Sequence, residues 1–158
     1  MISAESFLAA PGGGTYLYIE IEQNDELPFK SHAQDRLGSI ELIINGIAVL
    51  DRHMLDDIDT LWAHVAILID DYRNGRKASM VFPSEQLEVS FTPIGRGQVV
   101  VASVYGGDRL AAAADEHELL SAIQSAGYTY FDKMETLTQR FYAKERTLLS
   151  GHNPHLST

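Results

Sequence analysis

The sequence predicts a single α+β domain: an antiparallel sheet of five to six strands with two main helices, in the order β-ββ-α-βββ(β)-α. Three observations lead there. Strand-like segments are joined by tight turns containing Gly or Asn, and a strand that reverses so sharply pairs antiparallel with its neighbour. Two long stretches carry apolar residues at spacings of three and four, the period of a helix with one buried face. The chain has 158 residues, 45% hydrophobic and 22% charged, the length and balance of one globular domain.

Each element has its own local reason. Residues 1–14 end in Pro11-Gly12-Gly13-Gly14 and read as a flexible approach segment. From Thr15 to Glu22 the chain alternates, with Leu17, Ile19 and Ile21 on one side and Tyr16, Tyr18, Glu20 and Glu22 on the other, a half-buried strand. Residues 23–38 are polar and read as a loop. Asn45-Gly46 sits between Ile40–Ile44 and Ile47–Leu50. Both turn positions tolerate positive φ, so a type I′ hairpin is expected. Met54 to Asn74 places Leu55, Ile58, Trp62, Val65, Ile69 and Tyr72 on one helical stripe, with Leu61 and Leu68 beside it and Gly75 as a stop.

Residues 78–114 read as a meander: Met80-Val81-Phe82, then Leu87 to Phe91, a turn at Pro93–Gly97, and a run from Val99 to Tyr105 whose consecutive valines suggest burial on both faces. A fourth strand is expected at Arg109–Ala114, against the poor strand propensity of its alanines. Asp115 is placed to cap a second helix, with Glu118 three residues on. Its stripe of Leu119, Ile123, Tyr130, Met134, Leu137 and Phe141 runs toward residue 149, bending near Gly127. Phe131 and Phe141 are expected in the core, Tyr128 and Tyr142 outside. Exposed tyrosines favour interfaces, so a homodimer through this helix is one expectation; simple packing of the helix on its own sheet is the plainer one. The domain is thus expected over 15–149, with 150–158 a polar tail holding His152 and His155.

Charge narrows the function. Twelve Lys and Arg face 22 Asp and Glu, a net charge of -10. Such a chain does not attract a phosphate backbone, so nucleic-acid binding is not expected. No apolar run approaches 18 residues, so no membrane span is expected. The N-terminus has neither a basic start nor an apolar core of signal length, which reads as cytoplasmic. Residues 20–26 hold Glu20, Glu22, Asp25 and Glu26 with no cation, and residues 51–71 hold six aspartates against Arg52 alone. Asp56, Asp57 and Asp59 suit the positive end of a helix dipole, but Asp70 and Asp71 lie at the end that repels anions. A basic partner facing them would explain their presence; a solvated helix face is the plainer reading.

Chemistry-bearing motifs are sparse. There are no cysteines, which removes disulfides, thiolate nucleophiles and Cys-based zinc sites. His53 and Asp57 are spaced i, i+4, but one helical pair supplies too few ligands for a metal. His64 stands seven residues from both Asp57 and Asp71, too far along a helix to join either. No G-x-S-x-G or H-E-x-x-H occurs, and the glycine tracts precede or join strands rather than open a helix. Neither enzymatic activity nor a cofactor or metal is expected.

The strand pair at Ile43-Ile44-Asn45-Gly46, the acidic helix with Trp62, and the run Leu87-Glu88-Val89-Ser90-Phe91 before Gly95-x-Gly97-x-Val99-Val100-Val101 follow one another and are closed by a last helix with Phe131-Asp132; none of these is a specific motif. Over about residues 39–142 this pattern resembles small bacterial immunity proteins, which neutralise the toxin domains of polymorphic toxin and secretion systems. The resemblance implies a kind of function rather than particular residues: tight, non-catalytic binding of a cognate toxin. The acidity agrees, because toxin domains that hold phosphates are basic there. The expected contributors are Asp56, Asp59, Asp70 and Asp71, with Glu20 and Glu22 as a second patch. The alternative is a small-molecule-binding or regulatory domain, with a ligand among Trp62, Tyr72 and Val101.

Overall fold

A computed structural model describes residues 1–23 and 36–151. Asp25, Glu26, Pro28 and the tail histidines His152 and His155 lie outside the described residues. The described chain is α+β, with two antiparallel sheets in place of the one expected.

The first sheet begins with β1, Ile2–Gly12, where the sequence suggested a flexible approach. It lies inside the sheet, paired with β2 (Thr15–Glu20) from Phe7↔Glu20 to Gly12↔Thr15 and with β3 (Leu37–Ile44) from Ile2↔Ile44 to Leu8↔Gly38. Ala, Ser and Glu are weak strand formers, so this strand owes its conformation to partners on both sides. Gly13 and Gly14, at φ 56° and 83°, form the two-residue turn into β2, a conformation costly for any residue with a Cβ. The glycine tract is therefore a hairpin turn, not a linker.

The Asn45-Gly46 hairpin forms as expected, with φ of 50° and 85°, and leads into β4, Ile47–Leu50. The two-residue β5, Asp56–Asp57, pairs with the start of β3. Sheet order is β2-β1-β3-β4, β5 continuing along β3. As the outer strand, β2 leaves Leu17 58% exposed, against its expected burial.

Helix α1 spans Ile58–Gly75, four residues later than the expected start. Residues 56 and 57 are held by β3, and the Asp57 carboxylate caps the helix by accepting from the Thr60 N–H at 2.8 Å. Ile58, Leu61, Trp62, Val65, Leu68, Ile69 and Tyr72 form its buried face. Arg76, at φ 63°, ends it by donating its N–H to the Tyr72 carbonyl.

The meander is present as β6 (Ala78–Val81), β7 (Leu87–Gly95), β8 (Gln98–Tyr105) and β9 (Asp108–Asp115), paired in that order. Val99 and Val101 are fully buried while Val100 is only partly so. The valine run thus alternates, because only one face of this sheet meets the core.

Helix α2, Glu116–Thr138, is capped by Asp115 accepting from the Glu118 N–H at 2.9 Å. It passes Gly127 without a break. That glycine is there for packing: a Cβ would collide with Leu149 and press on the Trp62 ring. The chain turns instead at Gln139, φ 59°, and resumes as α3, Ala143–Ser150. This left-handed residue breaks the helical phase. Phe141 is consequently 80% exposed and Tyr142 is 2% exposed, the reverse of the expected placement.

One apolar core joins both sheets and all three helices. α1 packs on β3 and β6, α2 on β1 and β9, and α3 on α1. Trp62 lies at the centre, its Nε1–H donating to Ser6 Oγ at 3.0 Å and its rings about 6 Å from those of Tyr130 and Phe131. Among the described residues no helix is long and apolar enough to cross a membrane.

Candidate functional site

The six carboxylates expected to form a docking surface separate into three environments. Asp56 and Asp59 are internal, 2% and 6% exposed, which corrects their assignment to a surface. Asp56 in β5 and Asp59 in the first turn of α1 both face inward, so these anions meet protein donors rather than solvent. Asp56 accepts from the backbone N–H of Asp57 at 2.7 Å and of Ser84 at 2.8 Å, pinning the β6–β7 loop. Asp59 accepts at Oδ1 from the hydroxyls of Tyr142, at 2.8 Å, and Tyr130. Its Oδ2 accepts from Arg140 at 2.7 Å and Arg36 at 3.3 Å.

This buried cluster is a clamp. Burial first, then the Asp59 charge, pushes both phenols above their ordinary range, so they remain protonated donors near neutral pH. All four lone-pair directions of the carboxylate are used, which joins α1, α2, Arg36 and the 139–142 turn. Sequence reasoning missed it because its members come from four separate segments.

The histidines take bland roles. His53 precedes α1 and does not pair with Asp57. Its backbone N–H bonds to Asp51 Oδ1 at 2.7 Å, and its ring stands edge-on to Tyr18 with Nδ1 3.1 Å from the hydroxyl. His64 Nδ1 is 3.2 Å from the Val81 carbonyl oxygen.

The four remaining expected residues divide between two places. Asp70 is half-buried and Asp71 exposed. Asp71 borders an open groove shared with Lys77, Ser79 and Glu88. Glu20 and Glu22 are exposed at the end of β2 and in the turn that follows, where they flank a small cleft with Glu5, Ala126 and Thr129.

The second place is the more strongly charged. Glu5 and Glu41 stand directly opposite each other on β1 and β3, and Glu20 stands opposite Phe7 on the same face. Like charges so placed repel. The Glu5 carboxyl is held above its ordinary range, first by burial and then by Glu20, Glu41 and Glu22, with Arg52 acting against them. The Arg52 guanidinium bonds to Glu41 at 3.1 and 3.3 Å and covers the Phe7 ring at 4.6 Å. Among the described residues, these four carboxylates thus share one nearby cation. Glu5 was missed because residues 1–14 carried no strand signal, and Glu41 because only pairing to β1 places it beside Glu5.

The space expected to take a small molecule is nearly filled. An apolar cavity bounded by Ile40, Trp62, Val65, Phe91 and Ile123 measures about 20 Å³, no more than a water's worth and far below the ~300 Å³ of small ligand sites. Tyr72 packs edge-on against Phe91, ring centres 5.7 Å apart, and neither Tyr72 nor Val101 lines that cavity. No family model, curated protein or solved structure matches this chain.

Proposed function

We propose that this chain is a non-catalytic, immunity-type protein that binds and neutralises a basic toxin domain through the acidic outer face of its first sheet. The observation that carries the reading is the set Glu5, Glu20, Glu22 and Glu41 with Arg52 as its nearby counter-charge. Carboxylates kept together at a cost in mutual repulsion are relieved when a cationic surface docks on them. Such complementarity raises association rates and suppresses wrong partners more than it adds affinity. The face is open at the outer strand β2, where Tyr16, on the same side as Glu20, is exposed and offers contact area beside the charges.

The test is co-expression with the toxin domain encoded by a neighbouring reading frame. The chain should restore growth and co-purify with that domain as a stoichiometric complex. The double variant Glu20→Lys/Glu22→Lys should slow association about tenfold or more at low salt and flatten its salt dependence. A complex that forms equally fast with this variant removes the acidic face from the reading.

A further inference from the structure

A pocket of about 210 Å³ opens beside the acidic face, between the 53–55 turn and the loop joining β6 to β7. Phe82 and Leu87, 4% and 3% exposed, form its floor. Met54, Leu55 and Tyr105 form its walls, Tyr105 with half of its surface exposed. His53 and Glu85 complete the lining. We propose that this pocket receives one bulky apolar side chain, aromatic or long aliphatic, from a basic segment of the partner protein. The inference rests on the protein-binding reading above and names the chemistry the partner must present.

Size, rigidity and charge argue for that occupant. A cavity of ~150 Å³ lined by apolar groups suffices for a benzene ring, so this space suits a single side chain better than a drug-sized ligand. Its walls are fixed before anything binds. The 53–55 turn is held by Met54 N–H to the Asp51 carbonyl at 3.1 Å and Leu55 N–H to the His53 carbonyl at 3.0 Å. The opposite loop is held by Phe82 N–H to the Leu87 carbonyl at 2.9 Å and by Ser84 N–H to Asp56. Pre-formed walls reduce the ordering cost of binding. Buried Asp56 is therefore a positioning residue for the pocket.

The surroundings are anionic. Glu85 lies in the lining, Asp108 stands directly across the strand pair from Tyr105, and Asp51 bonds to the His53 backbone. Tyr18, which contacts the His53 ring, lies two residues from Glu20 along β2, so the pocket and the carboxylate face are continuous. A buried anchor surrounded by a charged rim is the usual organisation of a binding hot spot.

The experiment titrates the isotope-labelled full chain with capped pentapeptides and follows backbone amide shifts. Lys-Lys-Phe-Lys-Lys should move residues 53–55, 82–87 and 105, and bind at least about fivefold more tightly than Lys-Lys-Ala-Lys-Lys. Ser-Ser-Phe-Ser-Ser should bind more weakly than the first. Leu55→Trp, which fills the pocket, should abolish the preference for Phe. Glu85→Lys, an exposed change that leaves the core intact, should weaken both cationic peptides. Equal binding of the Phe and Ala peptides, or shifts confined to the sheet face, overturns the pocket and leaves the acidic face standing. Shifts at the pocket that grow with chain concentration alone, without peptide, assign it to a second copy and overturn the inference. No response to any peptide also overturns it, while the toxin co-expression judges the broader reading separately.

Discussion

A carboxylate closed off from water remains an anion only where donors replace its hydration, and Asp59 has four of them. Truncation to alanine leaves Arg36 and two hydroxyls facing a void. Asp59→Ala should therefore cost about 3–5 kcal/mol, read as a lowered urea midpoint at unchanged slope; a loss below about 1 kcal/mol would refute the clamp. Glu5 illustrates the opposite case. Its carboxyl is held above the ordinary carboxylate range by burial and by Glu20, Glu41 and Glu22, so in the window just above that range the folded chain keeps a proton that the unfolded chain has lost. Stability contributed by Glu5 therefore falls as pH rises through that window. Glu5→Gln should be more stable than the native chain at pH 7, by up to about 1 kcal/mol, and about equal to it at pH 4. An equal difference at both pH values would contradict mutual repulsion as the cause.

At the scale of elements, the turn between α2 and α3 decides which aromatic enters the core. Phe141→Ser should change stability by less than about 0.5 kcal/mol, whereas Tyr142→Ala should cost about 3–5 kcal/mol; comparable losses in chemical denaturation would place the helical break elsewhere. The sequence favoured the wrong aromatic because an uninterrupted 3.6-residue period was carried across Gln139, which bears no local mark of a left-handed residue. Where the determinant is local, the sequence was legible: Asn45-Gly46 makes its hairpin, Asp115 caps its helix, and the meander follows its turns. Where it is distant, it was not. The strand at Ile2–Gly12 has ordinary loop-like residues and takes its form from partners as far away as Ile44. The burial of Asp56 and Asp59 was hidden for the same reason, since nothing near them in sequence announces Ser84, Tyr130 or Tyr142.

For the whole molecule, the two sheets share one core and are tied directly. The Ser103 hydroxyl on β8 donates to the Val49 carbonyl on β4 at 2.7 Å, buried, and Asn45 Nδ2 reaches the Ala113 carbonyl on β9 at 3.4 Å. Such a molecule should unfold in one step. Fluorescence of Trp62, far-ultraviolet circular dichroism and near-ultraviolet circular dichroism should share one urea midpoint, and separated midpoints would show sheets that melt independently. The acidity belongs to this scale as well. The sequence put its excess in residues 20–26 and 51–71, but only three-dimensional pairing separates anions used internally from those offered outward, and it adds Glu5 and Glu41 to the latter.

The Asp59 clamp also sets an order of events during translation. Tyr142 follows Asp59 by 83 residues, which at 5–20 residues per second is about 4–17 s of synthesis. Until then the nascent chain holds a carboxylate without its full set of donors, so closing the core around it is unfavourable. The ribosome must pass Tyr142 before the native state becomes the better one, and in that interval the early hairpins wait without the core that packs them.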